Sequence, residues 1–339
     1  MSRRRALFVS AMLLAQSSAT YAETPMSYWH TYGPAGYPLT QLGWGLGIIS
    51  IVVIVVIAVL LLGAMSHERT RRASDDTQLA VGREGGGMAW IYVGTGITTV
   101  VLIACMGWTL VTSASVVRPP SPPALTVQVT ASQWWWSIRY TSAEPSRTFI
   151  TANEIHIPVG QPVRFEVASA DVIHSFWVPQ LGGKIDVIPG QTNVTWLQAD
   201  KAGVYRGQCA VFCGAEHARM ALELIADTSR DFRAWQDDQL RDTPIAASAA
   251  ARAGRRVFQA HCAACHAIRG SDAAGIVGPD LSHLMTRRTL AAGLLPNTPG
   301  NLAGWIADPQ TLKPDAKMPD HLVSGADLTA VVDYLKTLQ

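Results

Sequence analysis

Charge is scarce in this chain, and neither sign dominates. Of 339 residues, 27 are Lys or Arg and 25 are Asp or Glu, which leaves a formal net charge of +2. A nucleic-acid partner requires a concentrated basic face, and so balanced a composition excludes nucleic acid. Cysteine is sparse as well: there are 5, too few for a disulfide-stapled scaffold in a chain this long. None lies near residue 22, which argues against a lipid anchor there. No internal repeat is visible. Long uncharged runs are present, and they account for much of the 48% apolar share.

Those runs lie near the N-terminus. Residues 1–22 read as a secretory signal, with Arg3, Arg4 and Arg5 as its positive start, 6–15 as its apolar segment and Thr20-Tyr21-Ala22 as a small-residue cleavage site. So short an apolar segment cannot cross a hydrocarbon core of ~30 Å. Residues 23–117 read as a transmembrane hairpin with spans 42–65 and 89–113. Arg69, Arg71, Arg72 and Arg83 lie between the spans, so the positive-inside bias puts that loop in the cytoplasm and everything after 113 outside. The expected location is the bacterial inner membrane, with the C-terminal two thirds on the periplasmic face.

The run Arg118-Pro119-Pro120-Ser121-Pro122-Pro123 is a stiff spacer. Residues 118–226 then alternate β-branched and polar side chains in short runs broken by Gly and Pro, the pattern of a β-sandwich or barrel. Residues 227–253 are charged, then rich in Ala and Ser, and read as a helical or loose linker. Residues 254–339 are helical in pattern.

Cys262-Ala263-Ala264-Cys265-His266 has the spacing of a c-type haem attachment. Residues i, i+3 and i+4 of a helix share one face. Both thiols therefore reach the haem edge while His266 reaches the iron. A zinc ribbon needs a second Cys pair and a thioredoxin-like dithiol a βαβ setting, and this region has neither. The sixth ligand comes from His283, Met285, Met318 or His321. Met318 is expected, because Lys317-Met318-Pro319-Asp320 is pinned by Pro314 and Pro319 and stands 52 residues past His266, far enough to wrap to the other haem face. Met285 is only 19 residues away and reads as packing. A His/Met pair raises the haem potential, as suits an electron carrier.

Within 209–220, Cys209, Cys213, His217 and Met220 gather thiolate, imidazole and thioether donors, and His174 lies 35 residues upstream of Cys209. Soft sulfur and nitrogen donors select copper. Two cysteines allow both thiolates to bridge two copper ions, each ion taking one His, with Met220 as a weak distal ligand. Cys105 reads as a small apolar residue within a span, and His156 as a satisfied core histidine.

Gln133-Trp134-Trp135-Trp136, Asp171-Val172-Ile173-His174-Ser175-Phe176, Lys184-Ile185-Asp186-Val187-Ile188-Pro189-Gly190 and the Cys/His/Met loop together resemble subunit II of cytochrome c oxidase. With Cys262 to His266 and Gly278-Pro279-Asp280-Leu281, which resemble class I cytochromes c, the chain is similar to the caa3-type subunit with a fused haem domain. The resemblance implies a multidomain membrane protein: a two-helix transmembrane hairpin, an all-β cupredoxin-like barrel with a binuclear copper (CuA) centre, and an all-α class I cytochrome c domain. It implies a terminal-oxidase role, with electrons passing from haem c to copper and on to a catalytic subunit that reduces oxygen. The implied partners are subunit I, other oxidase subunits and a donor such as cytochrome c or a bc1 complex.

By the same resemblance, electrons enter the copper site at Trp134, Val211 offers its backbone carbonyl to copper, and Trp305 with Arg287 or Arg288 lines the haem propionates. The family usually carries Glu at the position of Val211, where its carboxylate serves a magnesium site, so that contact is in question. Glu84 is the local counterpart of a glutamate that the family places at the start of the second span.

Two other roles fit parts of the pattern, the electron-accepting subunit of a nitric oxide reductase and a membrane copper chaperone, although a chaperone needs neither haem nor Met220. The domains are not charged for mutual steering: residues 121–226 hold 7 basic and 8 acidic side chains, and 251–339 hold 9 and 7. A covalent tether raises the effective concentration to ~mM without such charge.

Overall fold

The computed structural model describes residues 26–70, 87–243 and 248–339. The expected signal, 1–22, and Arg71, Arg72, Arg83 and Glu84 lie outside the described residues. Among the described residues two helices come first, α1 (Tyr37–Thr70) and α2 (Gly87–Val116). Within them Tyr37–Ser66 and Met88–Val116, 30 and 29 residues, are long and apolar enough to cross a membrane. At ~1.5 Å per residue each exceeds the ~30 Å hydrocarbon core. Ile54, Leu60 and Leu62 of α1 and Ile97, Val100 and Val111 of α2 stand exposed, as expected of helices that are apolar all round and solvated by lipid. The helices meet where Gly45 has no Cβ; an added one would sit 2.1 Å from Trp108. Both run past the expected spans, because polar flanks continue the helical hydrogen bonding beyond the apolar run. At the outer end Tyr37 donates to Asp200 (2.9 Å) and Trp196 Nε1 to the Val116 carbonyl (2.9 Å), which ties the hairpin to the next domain.

That domain is β-sheet and cupredoxin-like. Its strands are β1 (Leu125–Ser132), β2 (Trp135–Thr141), β3 (Phe149–Ala152), β4 (Glu154–Pro158), β5 (Val163–Ser169), β6 (His174–Phe176), β7 (Ile185–Val187), β8 (Asn193–Leu197), β9 (Gly203–Gln208) and β10 (Ala221–Asp227). One sheet has the order β3-β2-β1-β5-β8, a second has β4-β10-β9, and β6 pairs with β7. The period-2 alternation sends Val127, Val129, Val163, Phe165 and Val167 of the first sheet, and Ile155, Ile157, Leu222 and Leu224 of the second, into one core where they are fully buried.

A helix, α3 (Ser229–Gln239), follows β10 directly, capped by the Thr228 side chain accepting from Asp231 N–H. Phe232 and Trp235 lay it on the barrel core. Trp235 stacks on His156 at 4.1 Å and meets Tyr140 edge-on at 5.1 Å. The first half of the segment read as a linker is therefore packed structure and belongs to the β domain.

The C-terminal domain is helical: α4 (Ala249–His261), a two-residue ladder of β11 (Thr289–Leu290) and β12 (Leu295–Pro296), then α5 (Pro299–Ala307), α6 (Pro309–Leu312) and α7 (Gly325–Leu335). Ser248 caps α4 by accepting from Ala251 N–H, and Thr298 followed by Pro299 opens α5 by accepting from Asn301 N–H. α4 and α7 cross so closely that a Cβ at Gly254 would lie 1.9 Å from the Ala330 carbonyl oxygen.

Candidate metal centres

The loop 209–220 joins β9 to β10. Cys209 N–H donates to the Met220 carbonyl (2.9 Å) and Ala210 N–H to the Ser175 carbonyl (3.0 Å), which closes the loop and holds it beside β6, whose first residue is His174. Gly214 turns the loop at φ +117°, and a Cβ there would strike Trp134 at 2.9 Å. The turn therefore needs glycine on both counts. The result brings all the expected copper donors together. Cys209 Sγ and Cys213 Sγ are 3.7 Å apart, both as free thiols. His174 Nδ1 lies 3.9 Å from Cys209 Sγ, His217 Nδ1 3.6 Å from Cys213 Sγ, and Met220 Sδ 3.9 Å from Cys213 Sγ. The Val211 carbonyl is 3.3 Å from Cys209 Sγ.

Outer partners fix these donors. Asp171 Oδ1 accepts from His174 Nε2 (2.8 Å), so Nδ1 is the nitrogen turned to the sulfurs. Trp136 meets the His174 ring edge-on at 6.2 Å. The Cys213 carbonyl accepts from Gln133 Nε2 (2.8 Å) and Trp134 Nε1 (3.1 Å). Asp171 and Gln133 were legible only as members of longer motifs, because nothing in their own type or spacing marks them as supports. His174, Cys209, Cys213 and Met220 are all buried.

The two thiols cannot both be thiolates at this separation without a compensating cation. The hydrogen bond from Cys213 holds Cys209 well below the usual thiol range, and the same pairing, together with burial, pushes Cys213 up. Burial opposes a charged His174, but its contacts with Cys209 and Asp171 outweigh that and hold it above the usual histidine range.

Cys262, Cys265 and His266 continue the helical turn that ends α4: Cys262 N–H donates to the Phe258 carbonyl (2.8 Å), and Cys265 and His266 N–H to the Cys262 carbonyl (both 3.0 Å). His266 Nδ1 donates to the Pro279 carbonyl (2.8 Å), which fixes the tautomer and leaves Nε2 for a metal. Burial keeps His266 below the usual histidine range, hence neutral, as a ligand must be. Gly278 covers the ring so closely that its Cβ would stand 2.6 Å from His266 Cε1. The Gly278-Pro279 pair thus supplies both the space and the acceptor.

Of the sixth-ligand candidates, His283 is buried and bonded through Nδ1 to the Gln339 carbonyl (3.0 Å). Met285 is half-buried against the haem-domain core, and its backbone N–H donates to the Leu338 carbonyl (2.9 Å). His321 is exposed. Met318 is half-buried against the haem-domain core, its carbonyl held by Gln310 Nε2 at 2.9 Å.

Of Arg287 and Arg288, expected as alternatives, Arg288 turns to the β domain: its Nε donates to Glu223 (2.9 Å), and its N–H to Glu154. Arg287 is buried, donates through Nη2 to the Asp280 carbonyl, and its Nε has no partner among the described residues. Trp305 is half-buried on α5.

Residues 142–226 match the family described as cytochrome c oxidase subunit II, periplasmic domain, and residues 251–339 match cytochrome c. Cytochrome c oxidase subunit 2 of Alkalihalophilus pseudofirmus is 40% identical over 215 residues, covering 63% of this chain and 61% of the relative. That of Bacillus subtilis is 32% identical over 227 residues, covering 64% and 63%. The chain thus spans less than two thirds of the length of these curated relatives. A solved periplasmic domain of subunit II from Bradyrhizobium japonicum is 34% identical, covering 35% of this chain and 95% of that one, with a TM-score of 0.33.

A domain of the first kind implies a binuclear copper centre, and one of the second a haem c. The donor sets fit both: paired sulfurs that need a cation between them, and a neutral imidazole with a free nitrogen one turn from two thiols. Its two apolar helices are those of a membrane protein, and residues 142–226 match a periplasmic domain.

Proposed function

We propose that this chain, which joins a cytochrome c oxidase subunit II domain to a cytochrome c domain, delivers electrons within a terminal oxidase of the bacterial inner membrane. The observation that carries the proposal is the sulfur pair, 3.7 Å apart with an imidazole nitrogen beside each sulfur, in one chain with a haem-binding turn. The cofactors, when bound, supply the one-electron chemistry, with uptake at haem c and onward passage through the copper pair to the catalytic subunit that reduces oxygen to water.

The residues of the chain hold and shield these groups. Cys209, Cys213, His174 and His217 would hold the copper pair, with Met220 and the Val211 carbonyl as further donors. Val211 has no carboxylate, so the magnesium contact of the family lacks its side chain here. Cys262 and Cys265 would bond the haem, and His266 and Met318 would hold its iron. The buried Nε of Arg287, without a partner among the described residues, is suited to a haem propionate. Trp134, bonded to the Cys213 carbonyl, would be the entry point to the copper site.

Upstream, cytochrome c or a bc1 complex is the expected class of donor; downstream, subunit I and its companions accept. Purified with its native partners and given a reduced donor, the complex is expected to consume oxygen with cyanide-sensitive kinetics. Consumption of nitric oxide but not oxygen would overturn this reading.

A further inference from the structure

Lysine side chains are rarely buried, because removing an ammonium from water is costly unless every proton finds a partner. Lys313, just after α6, is 3% exposed. Its Nζ donates to three carbonyls, those of Trp134 (2.8 Å), Arg219 (2.8 Å) and Ala291 (3.1 Å). An ammonium has three protons, so all are used. Two of the acceptors belong to the β domain: Trp134 lies beside the copper loop, its indole bonded to the Cys213 carbonyl, and Arg219 lies in that loop, directly before Met220. The third belongs to the haem domain, in the turn between β11 and β12.

Other contacts extend the same interface. Ala221 N–H donates to the Ala292 carbonyl (3.0 Å), Arg219 Nη1 to the Leu312 carbonyl (3.3 Å), and Arg288 pairs with Glu223. Lys317 Nζ stands 5.8 Å over the Trp134 ring, within reach of a cation–π attraction. Surface pairs of this kind are each worth little. Lys313 differs because withdrawing it would leave two backbone carbonyls of the copper domain without this donor and would empty the space its side chain fills. Trp134 is 5% exposed beneath this cover. The loop that carries Lys313 also carries Met318.

We propose that Lys313 is a positioning residue that locks the haem domain onto the copper domain, seating its ammonium in the carbonyl socket of Trp134 and Arg219 so that the Met318 loop lies over Trp134 and outside donors reach copper only through the haem of this chain. The inference rests on the two-centre function proposed above. Electron-transfer rates fall exponentially with separation. A haem domain not held against the copper domain would spend most of its time too far from copper.

The test uses the full-length, fully metallated protein and the variant Lys313→Met, which keeps an apolar stem and removes the ammonium. After rapid photoreduction of the haem, transfer to copper is expected to slow at least tenfold, with copper content, haem content and both optical spectra unchanged. A soluble donor should now reduce the copper directly. An unchanged transfer rate, with both centres intact, would overturn the latch. Amine acylation of the wild-type protein gives a second measurement that needs no variant: Lys317 should be modified readily and Lys313 protected, and equal labelling of the two would also overturn it. Fewer than two coppers in the wild-type protein would instead overturn the underlying two-centre function.

Discussion

Replacing Cys209 by Ser is expected to abolish the two-copper centre and leave the haem untouched. Cys209 Sγ stands within 3.9 Å of both Cys213 Sγ and His174 Nδ1, so it joins the His174 side of the donor set to the sulfur pair. A serine oxygen is a harder donor on a shorter bond, poorly matched to copper. It also replaces an acidic thiol by a hydroxyl that does not ionise there, which removes half of the negative charge that binds the cations. The purple colour and near-infrared absorption should vanish, and copper content should fall below two per chain. Oxygen uptake should drop by more than the roughly 10–100-fold that loss of an outer partner of a metal ligand costs. The haem spectrum should be unchanged, since Cys262 packs against a separate core and Cys265 and His266 follow it in the same turn. Optical spectra and metal analysis of the variant check this, and survival of the two-copper spectrum would refute the bridging role.

Met318→Ala should lower the haem potential and open the reduced iron to carbon monoxide. A thioether opposite the imidazole favours the reduced iron and raises the potential; alanine offers no donor in its place. The loop itself should survive, because its path is set by backbone contacts: Gln310 Nε2 holds the carbonyls of Ala316 (2.7 Å) and Met318 (2.9 Å). Met285→Ala should do neither, because it stands only 19 residues past His266 and its backbone is held by the Leu338 carbonyl (2.9 Å). A redox titration and a carbon monoxide difference spectrum of the two variants decide the ligand, and the reverse pattern would assign it to Met285.

The sequence made much of this legible, for local reasons. The membrane helices announce themselves as uncharged runs, the barrel strands as period-2 alternation, and the haem turn as a fixed spacing on one helical face. Cys209, Cys213, His217 and Met220 were visible together because one loop carries them; His174 came with the motif around it. What stayed hidden depends on where distant segments meet. For 227–253 a helix and a loose linker stayed open as readings because Phe232 and Trp235 are isolated among charged residues, and the packing of Trp235 becomes apparent only against His156 and Tyr140 of the barrel. Arg287 and Arg288 stood as alternatives until Glu223, 65 positions away, proved to be the partner of Arg288. Lys313, in Leu312-Lys313-Pro314-Asp315, reads as a solvated loop residue, and only the docking of two domains encloses it.

Metal analysis of the purified protein, combined with a thiol assay after the metals are removed, decides whether Cys209 and Cys213 hold a copper pair. The expected result is two coppers for each haem iron and two titratable thiols at Cys209 and Cys213. One copper or none per haem, or a sulfur–sulfur bond joining these two residues in the active protein, would contradict it.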